Sequence, residues 1–168
     1  MKISLIGMMG CGKTSLGKLI ADKYNMEFVD LDEFIENKEG KTINDIFKEH
    51  SKKYFRKVEK EALKDILKKD NIVISTGGGI ILDEENRELL KENTYVFFIN
   101  RDIKNIYKDI DVESRPLLKD NKEILFEIYE KRKDIYMYVS DYNIKNKEIK
   151  STLKDIYTII DSIRKGLL

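Results

Sequence analysis

Cysteine and histidine are nearly absent from this 168-residue sequence, which holds one of each, Cys11 and His50. A single thiol cannot form a disulfide within the chain, and the pair is too small for a zinc site built from these residue types. The scarcity of cysteine gives no sign of an oxidising compartment, so we expect the protein in the reducing cytoplasm. His50 has no partner at a catalytic spacing, and we assign it no role.

Long apolar runs and net charge are also missing. The longest apolar stretches, such as residues 72–74 and 95–99, are far shorter than the roughly 20 residues of a membrane-spanning helix. Charged residues make up 38% of the chain, yet 32 basic against 31 acidic residues leave a formal net charge of +1. This balance creates no overall field toward nucleic acid or a membrane surface. We therefore expect neither as a partner.

The length favours one domain over residues 1–168, because a chain of about 150 residues buries roughly two thirds of its unfolded surface. The first residues are predicted to form a strand that leads into a loop, which does not fit a removable signal peptide. No internal repeat or low-complexity linker divides the sequence. We expect the domain to be a monomer.

Residues 7–14 fit the phosphate-loop pattern GxxxxGK[ST], with the sequence GMMGCGKT. A predicted strand at residues 2–6 precedes the motif and a predicted helix at 15–24 follows it, which is the context that the motif requires. Glycines allow the loop to turn its backbone N–H groups around phosphate oxygens. Lys13 would add a positive charge for the β- and γ-phosphates, and Thr14 a hydroxyl for Mg²⁺. The alternative is a glycine-rich turn that binds nothing.

Strands and helices are predicted to alternate along the chain. The strands are expected at residues 2–6, 26–29, 72–74, 95–99 and 141–144. The helices are expected at residues 15–24, 42–47, 52–69, 84–92, 103–108, 122–138 and 153–163, with a polar segment reaching Gly40 after the second strand. Such alternation predicts an α/β fold with a parallel sheet covered on both faces.

Candidate site residues follow the carboxyl ends of these strands, where parallel sheets bind ligands. Asp30 and Asp32 follow the second strand, and a carboxylate there could hold a metal-bound water or accept a proton. Three glycines follow the third strand, at Gly77, Gly78 and Gly79. The alternatives are that Asp32 caps a helix and that the glycines form a plain turn.

The residues alone do not decide the roles of three arginines and the cysteine. Arg115 lies in a polar segment, residues 109–122, where a cation could close over phosphates. Arg56 and Arg132 lie on predicted helices, where an arginine is usually a solvated residue paired with a neighbouring carboxylate. Cys11, inside the phosphate loop, is either a reactive thiol whose pKa is lowered by its surroundings or a buried and inert filler.

Together these residues resemble the shikimate kinase family. The matching segments are GMMGCGKT at residues 7–14, DLD at 30–32, INDIF at 43–47, FR at 55–56 with Glu59, GGG at 77–79, RPLL at 115–118, and Arg132 with Tyr136. The resemblance implies a three-layer α/β/α fold with a five-stranded parallel sheet, of the nucleoside-monophosphate-kinase-like phosphate-loop type. It also implies that ATP donates its γ-phosphate to the 3-hydroxyl of shikimate, in aromatic amino-acid biosynthesis.

The resemblance implies a role for each matching residue. Lys13, Asp32 and Arg115 would be catalytic, with Asp32 accepting hydrogen bonds from ring hydroxyls. The nucleotide would be bound by Gly10, Cys11, Gly12, Lys13, Thr14, Ser15 and Arg115. Shikimate would be bound by Asp32, Arg56, Gly77, Gly78, Gly79 and Arg132, within a substrate-binding segment at about 32–60 and beneath a lid at about 109–122. Mg²⁺ would be held by Thr14 and, through a water molecule, by Asp30, while Glu59 would position Arg56.

The sequence departs from the family pattern at two places. Ser51 and Lys52 stand where many relatives carry Gly-Glu. Lys108 is the nearest match to an arginine that relatives often place against the nucleotide, and Asp109 and Asp111 add negative charge nearby. Adenine contacts near residues 145–147 are too loosely patterned to assign.

Other functions fit the residues less well. A kinase for gluconate or a nucleoside monophosphate would not need the combination of Asp32, Arg56, three glycines and Arg132. A GTPase-like switch would need an Asn-Lys-x-Asp guanine reader, but the Asn-Lys pairs at Asn37 and Asn146 lack the aspartate. A dinucleotide-binding domain would need GxGxxG, which this loop does not provide.

Overall fold

The computed structural model describes residues 1–111 and 121–168. Its five strands are β1 (Lys2–Ile6), β2 (Glu27–Asp30), β3 (Ile72–Ser75), β4 (Tyr95–Asn100) and β5 (Tyr142–Lys145). They form one parallel sheet in the order β2-β3-β1-β4-β5. The predicted five-stranded parallel sheet is therefore confirmed. No strand begins or ends more than one residue from its expected position.

Helices connect consecutive strands, and one more follows the last strand. They are α1 (Lys13–Tyr24), α2 (Leu31–Glu39), α3 (Ile43–Glu49), α4 (Lys52–Leu67), α5 (Glu84–Asn93), α6 (Ile103–Asp109), α7 (Ile124–Val139) and α8 (Ile149–Arg164), with a 3₁₀ helix at Ile80–Leu82. Most helix bounds lie within about two residues of the expected ones, and two differences are larger. The polar segment before Gly40 contains α2, and α8 begins at Ile149 instead of residue 153.

The helix α2 forms because a cap and a short apolar stripe outweigh its polar composition. The Asp30 carboxylate caps the helix by accepting hydrogen bonds from the N–H groups of Asp32 and Glu33. Leu31 and Ile35, one turn apart, are completely buried. Gly40 ends the helix with a φ of 65°, a left-handed conformation that glycine adopts readily.

The core lies on both faces of the sheet. Apolar side chains of the central strands are completely buried, including Ile3, Leu5, Val73, Ile74 and Phe97. Helices α1 and α8 contact each other in one layer, while α5 and α7 contact each other and β4 in the other. This is the expected α/β/α arrangement. Within the described part of the chain, no helix has both the length and the apolar character to cross a membrane.

The sheet register brings the functional segments to one edge. Asp30 at the end of β2 is paired with Ser75 at the end of β3. Both strands lie on the same side of β1, whose carboxyl end leads into the phosphate loop. Parallel strands end at a common edge, so the loop, Asp30 and the glycines after β3 are neighbours in space.

Candidate active site

The phosphate loop adopts a conformation that depends on its glycines. Gly10 and Gly12 have φ values of 75° and 101°, in the region that favours glycine. Gly7 has a φ of 144°, and a Cβ there would stand 2.7 Å from the carbonyl oxygen of Ile99. The predicted loop therefore forms directly after β1, and α1 begins at Lys13.

The ammonium group of Lys13 is held by the loop itself. Its Nζ donates to the carbonyl oxygens of Gly7 at 3.0 Å and Met8 at 2.9 Å. The residue is only 7% exposed. These two carbonyls fix a positive charge at the loop without neutralising it, which is the arrangement that an anionic ligand requires.

Oxygen groups suited to a magnesium ion meet at the start of α1. Thr14 Oγ1 donates to Asp30 Oδ2 at 2.9 Å and lies 3.2 Å from Ser75 Oγ. Hydroxyl and carboxylate oxygens are the ligands that Mg²⁺ prefers, usually with several waters and phosphate oxygens. Within residues 1–111 and 121–168, no cluster of three or more His, Cys, Asp or Glu side chains could hold a metal alone. The residues fit a magnesium ion that is shared with a nucleotide.

Asp32 faces the first glycine of the run. Its Oδ1 lies 2.8 Å from the point where a Cβ on Gly77 would stand. The alternative that Asp32 caps a helix is wrong, because Asp30 is the cap of α2 and Asp32 belongs to the first turn. Asp32 is one of the residues that line the cavity described below.

The glycine run is a contact surface for both helical arginines. Arg132 Nη1 donates to the carbonyl of Gly78 at 3.0 Å, and the Tyr136 hydroxyl donates to the same carbonyl at 2.5 Å. A Cβ on Gly79 would collide with the guanidinium of Arg56. The glycines do form a turn, closed by the N–H of Ile80 donating to the carbonyl of Gly77 at 3.2 Å. Arg56 and Arg132 reach this turn from α4 and α7.

A buried carboxylate holds Arg56. Glu59, one turn further along α4, accepts from Arg56 Nη1 at 2.5 Å and is 1% exposed. Burial raises the pKa of Glu59 to about 7, although the charge of Arg56 and its hydrogen bond act in the opposite direction. The amide nitrogen of Asn86 lies 3.5 Å from the same Glu59 oxygen, and the Oδ1 atom of Asn86 is buried with no hydrogen-bond partner among the described residues. The predicted pairing of Arg56 with Glu59 is present.

Cys11 is completely buried, and its sulfur lies 3.6 Å from Lys13 Nζ. The structure thus favours the inert filler over the reactive thiol. The backbone N–H of Cys11 donates to the carbonyl of Met8 at 3.2 Å. Any contact of this residue with a nucleotide would use its backbone.

A cavity of about 610 Å³ joins most of these groups. The predicted residues in its lining are Gly10, Cys11, Gly12, Lys13, Thr14, Ser15, Asp30, Asp32, Gly77 and Gly78. Gly79, Arg56 and Arg132 lie outside this lining, and the two arginines adjoin it through their contacts with Gly79 and Gly78. One connected site is therefore formed by segments that are far apart in sequence.

Among the other lining residues, Arg101, Asn146 and Lys147 have long polar or charged side chains to which the sequence assigned no role. Arg101 and Asn146 come directly after β4 and β5, so the rule that directed attention to strand ends could have found them. Lys108, the expected match to a nucleotide-contacting arginine, is exposed. Asp109 forms an ion pair with Arg101. Arg115 and most of the expected lid, residues 112–120, lie outside the described residues.

Comparison with known proteins agrees with this geometry. The family model for shikimate kinase matches residues 9–164. A shikimate kinase of Clostridium botulinum (strain Alaska E43 / Type E3) is 49% identical over 135 residues, covering 80% of this chain and 81% of its own. The chain is also similar to a shikimate kinase of Clostridium beijerinckii, with 38% identity over 160 residues, 95% of this chain and 94% of the relative.

Solved structures lead to the same family. The shikimate kinase of Acinetobacter baumannii in complex with shikimate superposes with a TM-score of 0.90 at 31% identity, over 96% of this chain and 93% of that one. The enzyme from Aquifex aeolicus gives a TM-score of 0.86 at 35% identity, over 99% of both chains. With a family model over most of its length, close relatives and a shared fold, this chain belongs to the shikimate kinase family.

Proposed function

We propose that the residues at the carboxyl edge of the sheet carry out the reaction of this family, transfer of the γ-phosphate of ATP to the 3-hydroxyl of shikimate. One observation carries the proposal. A phosphate loop with a fixed cation, a carboxylate and two arginines meet around one glycine run. Such a site offers one end to a polyphosphate and the other to a hydroxylated carboxylic acid.

The phosphate loop forms the nucleotide end. Its N–H groups and the start of α1 favour phosphate oxygens, and Lys13 would neutralise charge that develops on the transferred phosphoryl group. Thr14 would hold Mg²⁺ directly and Asp30 through a water molecule. The ion, when bound, would screen the charges of the β- and γ-phosphates. Ser15 lines the same end of the cavity.

The two arginines form the acid end. A carboxylate is recognised best by guanidinium groups, whose parallel donors match its two oxygens. Glu59 and the carbonyl of Gly78 already hold Arg56 and Arg132 in place. Binding would therefore require little further ordering of either side chain. The related enzyme of Acinetobacter baumannii was solved in complex with shikimate, and we assign the same substrate to this chain.

Asp32 lies between the two ends and would act on the attacking group. In the proposed step, the 3-hydroxyl oxygen forms a bond to the γ-phosphorus while the bond to the bridging oxygen of ADP breaks. Asp32 accepts the hydroxyl proton. The lack of a Cβ at Gly77 allows Asp32 Oδ1 to lie close to the backbone of the glycine run. Arg115, outside the described residues, would cover the phosphates from the lid.

The test separates chemistry from binding. Lys13→Ala and Asp32→Asn are expected to lower kcat by about 100-fold or more, because each removes a group that acts in the transition state. Arg56→Ala is expected to act mainly on shikimate binding. Turnover would be followed by ADP release, and shikimate binding by calorimetry. Wild-type kcat in Lys13→Ala or Asp32→Asn would refute the assigned roles.

A further inference from the structure

Two polar side chains of the cavity lining, Arg101 and Asn146, contact the backbone of the phosphate loop, and neither has a role in the proposed reaction. Arg101 Nη1 donates to the carbonyl of Gly10 at 3.2 Å. Asn146 Nδ2 donates to the carbonyl of Cys11 at 2.7 Å. The two carbonyls belong to consecutive residues of the loop, so the contacts fix adjacent peptide groups.

Both side chains are mounted on the rigid sheet. Arg101 directly follows β4 and Asn146 directly follows β5. The two strands are paired, and the N–H of Asn146 continues the pairing by donating to the carbonyl of Asn100 at 2.9 Å. The loop is thereby tied to the ends of two strands other than the one from which it emerges.

Each side chain has a partner that sets its orientation. The Thr152 hydroxyl, completely buried, lies 2.9 Å from Asn146 Oδ1 and 2.8 Å from the carbonyl oxygen of Glu148, the two acceptors for its one proton. The amide has its Nδ2 toward Cys11, where only a donor can meet a carbonyl. Asp109, at the end of α6, pairs with Nη2 of Arg101 and leaves Nη1 for Gly10.

In a trans peptide, the C=O and N–H groups point in opposite directions. Anchoring the carbonyl of Gly10 therefore directs the N–H of Cys11 away from Arg101 and into the loop, where it donates to the carbonyl of Met8 at 3.2 Å. Anchoring the carbonyl of Cys11 likewise directs the N–H of Gly12 away from Asn146. Glycine peptides rotate easily, and Gly10 and Gly12 both have positive φ values here. A free loop would lose this orientation at small energetic cost.

We propose that Arg101 and Asn146 are positioning residues for the nucleotide phosphates, which preset the loop by holding two of its carbonyls outward. The inference rests on the proposed nucleotide site, since it assigns a purpose to the orientation of the loop. One part of the inference, that the two side chains hold the loop in the ligand-free protein, is mechanical and does not depend on a nucleotide. The other part, that this orientation strengthens phosphate binding, can fail while the first holds.

Hydrogen–deuterium exchange of the ligand-free full chain tests the mechanical part. Arg101→Ala and Asn146→Ala should make peptides covering residues 7–14 exchange about fivefold faster, the effect of losing one hydrogen bond of ordinary strength. Exchange in β3 and α4 should not change. Lys145→Ala, which removes an exposed charge from the end of β5, is the control and should leave the loop unchanged.

Calorimetry tests the consequence for ligands. In both variants the affinity for ADP should fall about tenfold, whereas the affinities for adenosine, which lacks phosphates, and for shikimate should stay within twofold. Arg101→Lys, which keeps a cationic donor, should recover part of the loss. Failure of the wild-type protein to bind ADP would refute the nucleotide site. The exchange experiment would then still show whether Arg101 and Asn146 stabilise the loop.

Three results would overturn the inference. Weaker ADP binding with unchanged loop exchange would mean that the side chains touch the nucleotide directly. Faster exchange throughout the protein would mean a general loss of stability. Unchanged exchange and affinity would mean that neither contact matters.

Discussion

Arg56 and Arg132 approach the glycine run with different supports. A buried carboxylate, Glu59, holds Arg56, whereas a backbone carbonyl holds Arg132. A carbonyl cannot titrate, but the charge of Glu59 depends on pH. The two arginines should therefore respond alike to truncation and differently to pH.

Replacing Arg56 or Arg132 by alanine should weaken shikimate binding far more than nucleotide binding. Loss of one charged partner of a desolvated carboxylate costs about 2–5 kcal/mol, or at least about 30-fold in affinity. Calorimetry with shikimate and with ADP measures both effects. Lys53→Ala, at an exposed position in the first turn of α4, serves as the control. A loss confined to ADP would show that the arginines do not bind the acid.

Glu59 should make stability fall with rising pH. The pKa of its carboxyl is 4.5 in the unfolded chain and about 7 when buried. Between these values the folded state binds more protons than the unfolded state, so stability decreases as pH increases and levels off above pH 7. A pKa shift of this size changes the free energy of unfolding by about 3 kcal/mol.

The variant Glu59→Gln isolates this effect, because its side chain stays neutral. Denaturant unfolding of both proteins from pH 4.5 to 8 should show the stability of the wild type, relative to Glu59→Gln, declining by up to about 3 kcal/mol. Glu61→Gln, an exposed change on the same helix, should not reproduce the trend. A constant difference, or one that grows with pH, would contradict the ascribed cause.

At the scale of elements, Ser51 explains one departure from the family pattern. The residue is the N-cap of α4, and its Oγ accepts a hydrogen bond from the N–H of Tyr54 at 3.2 Å. Serine is among the residues preferred at this position. The cap therefore fixes the start of the helix whose second turn carries Arg56.

Ser51→Ala should lower the free energy of unfolding by about 1 kcal/mol, the usual cost of losing such a cap. Chemical denaturation measures the change. Ser51→Thr keeps a hydroxyl and should lose less. Equal losses in the two variants, or none in Ser51→Ala, would show that the hydroxyl does not support α4.

How much could be predicted from the sequence also depends on the element. The strands and α4 have strong apolar patterns and were found nearly to the residue. The helix α2 has only two buried apolar residues, Leu31 and Ile35, and its cap, Asp30, was assigned to the metal site alone. Arg101 and Asn146 directly follow β4 and β5, so their place at the carboxyl edge could be predicted. Their contacts could not, because these join residues more than 90 positions apart in sequence.

At the scale of the whole molecule, the topology explains why the site could be anticipated. Parallel strands end at one edge, so residues that follow different strands are gathered there without any local signal. The arginines on α4 and α7 are a separate case. Their positions are set by packing of helices against the sheet, and the sequence pointed to them through family resemblance alone.

The most direct measurement is ADP release by the purified chain with ATP and Mg²⁺, over a panel of shikimate, gluconate and nucleoside monophosphates. The site predicts release that depends on shikimate, with phosphate found on its 3-hydroxyl, and loss of that release in Lys13→Ala. Release with gluconate or a nucleoside monophosphate at a rate equal to or above that with shikimate would contradict the account.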